Sequence, residues 1–142
     1  MEVKNKVYPS KDQMRGFFGT ANDNEPIYMV NLLKFKDKAE YKDGRKTNLT
    51  GREAYKIYAE FVKNHLQNIG GDLILHTDVT RMAVGEVEEL WDVVAIAKWP
   101  SRQIMGENMM PNDPKYLEAY QHREAGLACL LYTSDAADDS QC

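Results

Sequence analysis

The segment Trp91-Asp92-Val93-Val94-Ala95-Ile96-Ala97-Lys98-Trp99 is almost unbroken in apolar residues. Too short for a long helix and rich in β-branched side chains, it reads as a strand. A strand that is apolar on both faces has to be buried on both faces. The segment Pro26 to Lys36 makes the same demand at its start. Its odd positions are Ile27, Met29, Asn31, Leu33 and Phe35, and its even positions are Tyr28, Val30, Leu32, Lys34 and Lys36. A sheet built on these two strands needs a cover above and a cover below.

The elements between and around them follow from local signals. Thr50-Gly51-Arg52-Glu53 is a capping box, and apolar residues then recur at Ala54, Tyr55, Ile57, Tyr58, Phe61, Val62, Leu66 and Ile69. Gly70-Gly71 ends that helix. A strand from about Asp72 to Gly85 is long enough to need a bulge, and Val87 to Leu90 connects it to the Trp91 strand. A helix starts near Ser101 and carries Ile104, Met105, Met109 and Met110. Pro111 and Pro114 then break the chain, and a second helix runs from about Asp113 to Ala125. Gly126 stops it, and Leu127 to Thr133 forms a last strand. A short helix over 9–19, capped by Ser10, precedes a polar turn over 20–25 and the whole series. The order βαββαβ predicts an α+β, ferredoxin-like domain with an antiparallel four-stranded sheet. Helices cover one face of such a sheet. Pairing face to face with a second copy is the simplest cover for the other, which predicts a homodimer. The charged stretch 37–49, with a turn at Asp43-Gly44, reads as a solvated loop or a mobile flap over a pocket.

A length of 142 residues fits one domain and buries enough surface to fold without disulfides or a structural metal. Asp and Glu outnumber Lys and Arg, 22 to 18, which argues against a general nucleic-acid binder. No apolar run approaches membrane-spanning length, and the first residues lack the apolar stretch of a secretory signal, so the expected location is cytoplasmic. The two cysteines, Cys129 and Cys142, both fall in the last fourteen residues. That excludes a disulfide framework and a paired-cysteine zinc site. No glycine-rich phosphate loop and no nucleophile elbow occurs.

Four stretches stand in a recognisable order: Pro26 to Phe35, Gly51 to Tyr58, Trp91 to Ser101, and Pro114-Lys115-Tyr116 followed by Arg123-Glu124-Ala125-Gly126-Leu127. Together they resemble the domain-of-unknown-function family 1330 over roughly residues 24 to 128. The resemblance implies a ferredoxin-like fold of the dimeric α/β-barrel superfamily, in which two sheets face each other and the helices lie outside. Elsewhere that superfamily includes cofactor-free monooxygenases, muconolactone-type isomerases and haem peroxidases, a kinship of fold that assigns no reaction. The end of the chain, from about Cys129, resembles translated sequencing-adaptor read-through. The expected organisation is a helical extension over 1–23, the ferredoxin-like domain over 24–128, and a non-native tail over 129–142.

Candidate chemistry gathers on a few side chains, each with a structural reading beside the functional one. Asn31 is the one polar residue on an apolar strand face. It is either tied to neighbouring backbone or aimed at a ligand oxygen, where it stabilises developing negative charge. Trp91 either caps the core or walls a pocket, and Asp92 beside it orients a base or moves a proton. Arg123 either makes an ion pair with Glu118 or Glu124, or holds an anionic group with its fork of donors. His76 is a surface histidine or a general base near Asp78. Tyr55 and Tyr58 are core residues or line a ligand cavity between helix and sheet, with Met105, Met109 and Met110 as soft filler. His65, His76 and His122 lack metal-ligand spacing, so neither metal nor cofactor is expected. The functional expectation is a homodimeric small-molecule-binding domain. Its catalytic version is a cofactor-independent, monooxygenase- or isomerase-like enzyme acting on a small organic acid or aromatic compound. The alternative is a non-catalytic dimeric ligand-sensing or interaction domain.

Overall fold

Two capping boxes fix where the helical layer begins. In a computed structural model, described for residues 3–19, 24–109 and 113–134, Ser10 opens α1 (Lys11–Phe18) and Thr50 opens α2 (Gly51–Asn68). In α2 the Thr50 hydroxyl accepts from the Glu53 amide at 3.1 Å, and the Glu53 carboxylate accepts from the Thr50 amide at 2.8 Å. Two backbone donors that the first helical turn leaves without partners are thereby satisfied. Gly70, at φ +87°, supplies the left-handed residue that stops the helix. The remaining elements are β1 (Ile27–Phe35), β2 (Asp72–Asp78), β3 (Val93–Trp99), α3 (Arg102–Met109), α4 (Pro114–Gly126) and β4 (Leu127–Ser134). Residues 20–23 of the expected turn, residues 110–112 (Met110 and Pro111 among them) and the tail from residue 135, Cys142 included, lie outside the described residues.

The strands form one antiparallel sheet in the order β2-β3-β1-β4, which is the ferredoxin-like α+β arrangement. Asn31 sits opposite Ala95 on one side and Tyr132 on the other, and Leu33 sits opposite Val93 and Leu130. Strand residues alternate between faces, so this register sends Ile27, Met29 and Leu33 toward the helices along with Val93, Ala95 and Trp99. These residues are buried and make two adjoining core clusters with Tyr55, Leu66, Met105, Leu127 and Leu130.

The opposite face has no helix over it. Val30 lies across from Ile96, and Leu32 lies across from Val94 and Leu131. All five are only half-buried. Leu75, opposite Ile96 on the edge strand, is more exposed still. The two-sided apolar strands therefore come true in register, with one side covered by this chain and the other left open.

Three local expectations need revision. The second strand ends at Asp78 rather than near Gly85. The bulge does occur, between Leu73 and Leu75, but residues 79–92 form a loop with Val84 almost fully exposed. The charged stretch 37–49 is the mostly exposed loop expected, but it is pinned to α4 at a few points rather than free as a flap. Ala39 and Tyr41 are buried, the Glu40 amide donates to the Ala125 carbonyl at 3.0 Å, and Arg45 pairs with Glu118 of α4 at 2.8 Å. Lastly, Gly126 is more than a helix stop. A Cβ placed there would lie 2.3 Å from the Gly51 carbonyl oxygen, because the end of α4 and the start of α2 touch backbone to backbone.

Candidate functional site

Arg123 belongs to the last turn of α4, the turn that the Gly51–Gly126 contact presses against α2. Its side chain is therefore held beneath the sheet and is more than nine-tenths buried. A guanidinium in such a place ordinarily has a carboxylate partner, since an unpaired buried charge is costly. Here both anticipated partners are occupied elsewhere. Glu118 pairs with Arg45, and Glu124 pairs with Lys42 and accepts from the Tyr8 hydroxyl. Among the described residues Arg123 forms no ion pair. Its Nη2 donates to the Val7 carbonyl at 3.1 Å, its Nη1 is buried with no hydrogen-bond partner, and its Cζ lies 5.1 Å from the centre of the Tyr120 ring.

The guanidinium sits on the wall of a cavity of about 840 Å³. The N-terminal segment supplies one side through Val7 and Phe17, α3 supplies Met105 and Met109, and β4 supplies Leu130 and Tyr132, which fall in the stretch from Cys129 that resembles adaptor read-through. The charged residues lining it are Lys4, Lys6, Arg102 and Arg123, and no Asp or Glu lines it among the described residues. In a chain with more acidic than basic side chains, this local excess of positive charge makes the space favourable for an anion. Arg102 resembles Arg123 in one respect. Its Nε is buried without a partner, and its guanidinium lies 4.8 Å from the Phe17 ring centre.

Behind Arg123, a relay of aromatic rings fills the seam between α2 and α4. Tyr55 meets Tyr58 at 5.4 Å between ring centres, Tyr58 meets Tyr120 at 6.2 Å, and Tyr120 stacks on Tyr116 at 6.3 Å. Burial raises the pKa of Tyr55, Tyr58, Tyr116 and Tyr132, against a smaller downward pull from the Arg123 charge. These phenols therefore stay neutral at physiological pH, and toward the guanidinium, which can only donate, a phenol oxygen is an acceptor. Tyr58 has both Tyr116 and Arg123 as polar neighbours.

The structure brings Tyr58 and Arg123 together and places the other candidates apart from them. Asn31 faces the helices, but its Nδ2 donates to the carbonyls of Met29 (3.2 Å) and Ala95 (3.4 Å). That is the backbone-tied arrangement. Asp92 lies at the end of β1 on the helix-free side, where it accepts from the Phe35 amide at 2.8 Å and pairs with Lys34 at 3.3 Å. It straps the start of β3 to the end of β1. Trp91, half-buried beside it, is absent from the cavity wall. His76 is exposed on the edge strand, and Asp78 is engaged by Arg52 at 2.7 Å. His122 turns away from Arg123 toward the Tyr41 hydroxyl, 2.6 Å from its Nδ1. No cluster of three or more His, Cys, Asp and Glu occurs among the described residues.

Sequence reasoning missed Arg102, Lys6 and the Val7 carbonyl as parts of this site. The antiparallel bridge between Lys6 and Leu130 carries the chain start to the cavity. It is formed by backbone atoms, so no side-chain pattern announces it.

Two solved structures share this architecture. The methylated RPA0582 protein superposes with a TM-score of 0.76 at 34% identity, over 93% of this chain and 94% of that one. The RPA0582 protein of unknown function from Rhodopseudomonas palustris gives 0.76 at 31% identity, over 92% and 95%. The chain belongs to the RPA0582 family. No protein-family model matches it, and neither does any curated protein. Membership in the RPA0582 family thus brings a fold and no activity, and function has to be argued from the site. Among the described residues no helix is long and apolar enough to cross a membrane.

Proposed function

We propose that this protein binds a small organic anion in the cavity between the N-terminal segment, α3, α4 and β4, with Arg123 as the charge partner. One observation carries the reading. Among the described residues, Arg123 is a buried guanidinium with an unused Nη1 donor and no carboxylate partner, on the wall of a cavity that no Asp or Glu lines. A ligand carboxylate supplies both the missing hydrogen bond and the missing charge, and charge-assisted pairs of this kind are the strong ones. The proposed act is binding rather than turnover. His76 and Asp92, the candidates for proton transfer, stand away from the cavity, and the nearby phenols are held neutral. A thermal-shift series with benzoate and short carboxylates tests the reading. Stabilisation that vanishes in Arg123→Gln supports it, and stabilisation equal in wild type and variant refutes it.

We further propose that the working unit is a pair of chains joined through the helix-free sheet face, where Val30, Leu32, Val94, Ile96 and Leu131 form a half-exposed apolar patch. The dimeric arrangement implied by resemblance to the domain-of-unknown-function family 1330 uses this same face. Analytical ultracentrifugation of the wild type and of Ile96→Lys tests it. A dimer reduced to monomer in the variant is the expected result, and a monomeric wild type at high concentration removes the idea.

A further inference from the structure

We infer that the ligand of the Arg123 cavity is an amphiphile with a single carboxylate head and a long apolar body, of the fatty-acid type. This rests on the anion-binding reading above and adds the ligand class. The head follows from the supply of donors. Two buried guanidinium nitrogens on the wall are unused among the described residues, Arg123 Nη1 and Arg102 Nε, each able to give a single hydrogen bond, and the phenol of Tyr132 shares that wall. A phosphate head brings more charge and more acceptor atoms, and is ordinarily met by backbone amides at an open helix start. Two helix starts border this cavity: that of α1 is closed by the reciprocal Ser10 and Gln13 bonds, and at that of α3, which begins at Arg102, the Ser101 hydroxyl already accepts from the Ile104 amide at 3.1 Å.

The body follows from the rest of the wall. Away from the cations the cavity is lined by Phe17, Phe18, Met29, Met105, Met109 and Leu130. Three of these six are methionines, whose unbranched, polarizable side chains adapt to a flexible chain. At about 840 Å³ the space far exceeds what a carboxylate group fills. It falls within the range of about 300–1,000 Å³ that accommodates whole organic ligands. Gly16 of α1 also lines it, and a Cβ added there meets nothing within 4 Å. Gly16→Leu is therefore expected to place bulk at the edge of the cavity without crowding the backbone, and it replaces a poor helix former with a good one.

Isothermal titration calorimetry on the full chain with butyrate, decanoate, decanol and decanedioate tests the inference. Six added methylenes are expected to make decanoate bind about thirtyfold or more tighter than butyrate. Loss of the charge pair in Arg123→Gln is expected to weaken decanoate by about tenfold or more and to leave decanol unchanged. Gly16→Leu is expected to weaken decanoate while sparing butyrate. Equal binding of butyrate and decanoate, both lost in Arg123→Gln, overturns the fatty-acid class and leaves the anion site standing. Tighter binding of decanedioate than of decanoate overturns the single head. Indifference of every ligand to Arg123→Gln overturns both the class and the site. Should Arg123→Gln fail to fold, Gly16→Leu decides the class, and unchanged decanoate affinity in that variant overturns it.

Discussion

The helical layer has two halves of different character. At the α2–α4 end, backbone meets backbone at Gly51 and Gly126, loop 37–49 is hydrogen-bonded down onto α4, and the carboxylates Glu118 and Glu124 have partners. At the α1–α3 end, α1 buries none of its residues, a cavity of about 840 Å³ remains, and Arg102 keeps a buried Nε without a partner among the described residues. The first half is optimised for packing. The second is looser, yet unused polar capacity occurs in both: His65 Nε2 and Arg123 Nη1 belong to α2 and α4, and Arg102 Nε to α3. Closely packed regions resist change in volume, and looser regions leave room for ligands.

The sharpest way to break this comparison is to put a side chain into the closed half. Gly126→Val places carbon against the Gly51 carbonyl and the Tyr55 amide, both backbone atoms that cannot swing away. A loss of about 3 kcal/mol or more is expected in urea unfolding. A loss below about 1 kcal/mol would show that the two helices separate easily.

High pH comes next. Tyr55 and Tyr116 have folded-state pKa values raised above the ordinary 10, chiefly by burial. Their contribution to stability is full below pH 10 and is lost as pH climbs from there toward the raised values. At pH 11 the expected loss is about 1 kcal/mol for each. Absorbance titration of phenolate, run beside far-ultraviolet circular dichroism, is expected to show these tyrosines ionising together with unfolding. Ionisation of all eight tyrosines near pH 10 in a folded chain contradicts their burial.

Smaller effects separate structural from functional polar groups. Asn31→Ala removes two donations to main-chain carbonyls and is expected to cost about 1 kcal/mol, with anion affinity unchanged. Arg123→Gln gives up one bond to Val7 and also removes an orphaned buried donor. Its stability is expected to stay within about 1 kcal/mol of the wild type while anion binding disappears. If Asn31→Ala instead abolishes binding and Arg123→Gln unfolds the protein, the assignment of the two roles is inverted.

How much of this was legible beforehand divides along the same line. The closed half was readable because its signals are local. The Thr50–Glu53 box, the apolar stripe of α2, the stop at Gly70 and the double-sided strands each determine their own element, and antiparallel pairing assembles them. The open half is made by contacts distant in sequence. Arg123 was singled out for its chemistry, but whether Glu118 or Glu124 would neutralise it depended on where Arg45 and Lys42 came to rest. Asn31 and Asp92 looked equally eligible on paper. Their amide and carboxylate turned out to be committed to main-chain atoms, something spacing along the chain does not encode. The fit of loop 37–49 against α4 was hidden for a related reason: its charged composition masks the buried pair Ala39 and Tyr41.

The two lateral borders of the sheet carry a last consequence. Along β4, residue 6 exchanges both of its main-chain bonds with Leu130, at 3.1 and 2.9 Å, and so obstructs that margin. Along β2, the bulge and the acidic ends Asp72 and Asp78 spoil the other margin as a template for a further strand. Ribbon-like growth through strand addition is thereby discouraged on both sides. What remains for a neighbour is the broad apolar face, and an encounter across that surface uses it up. In the face-to-face pairing proposed above, association is self-limiting, and the greasy patch then does not commit the molecule to fibres.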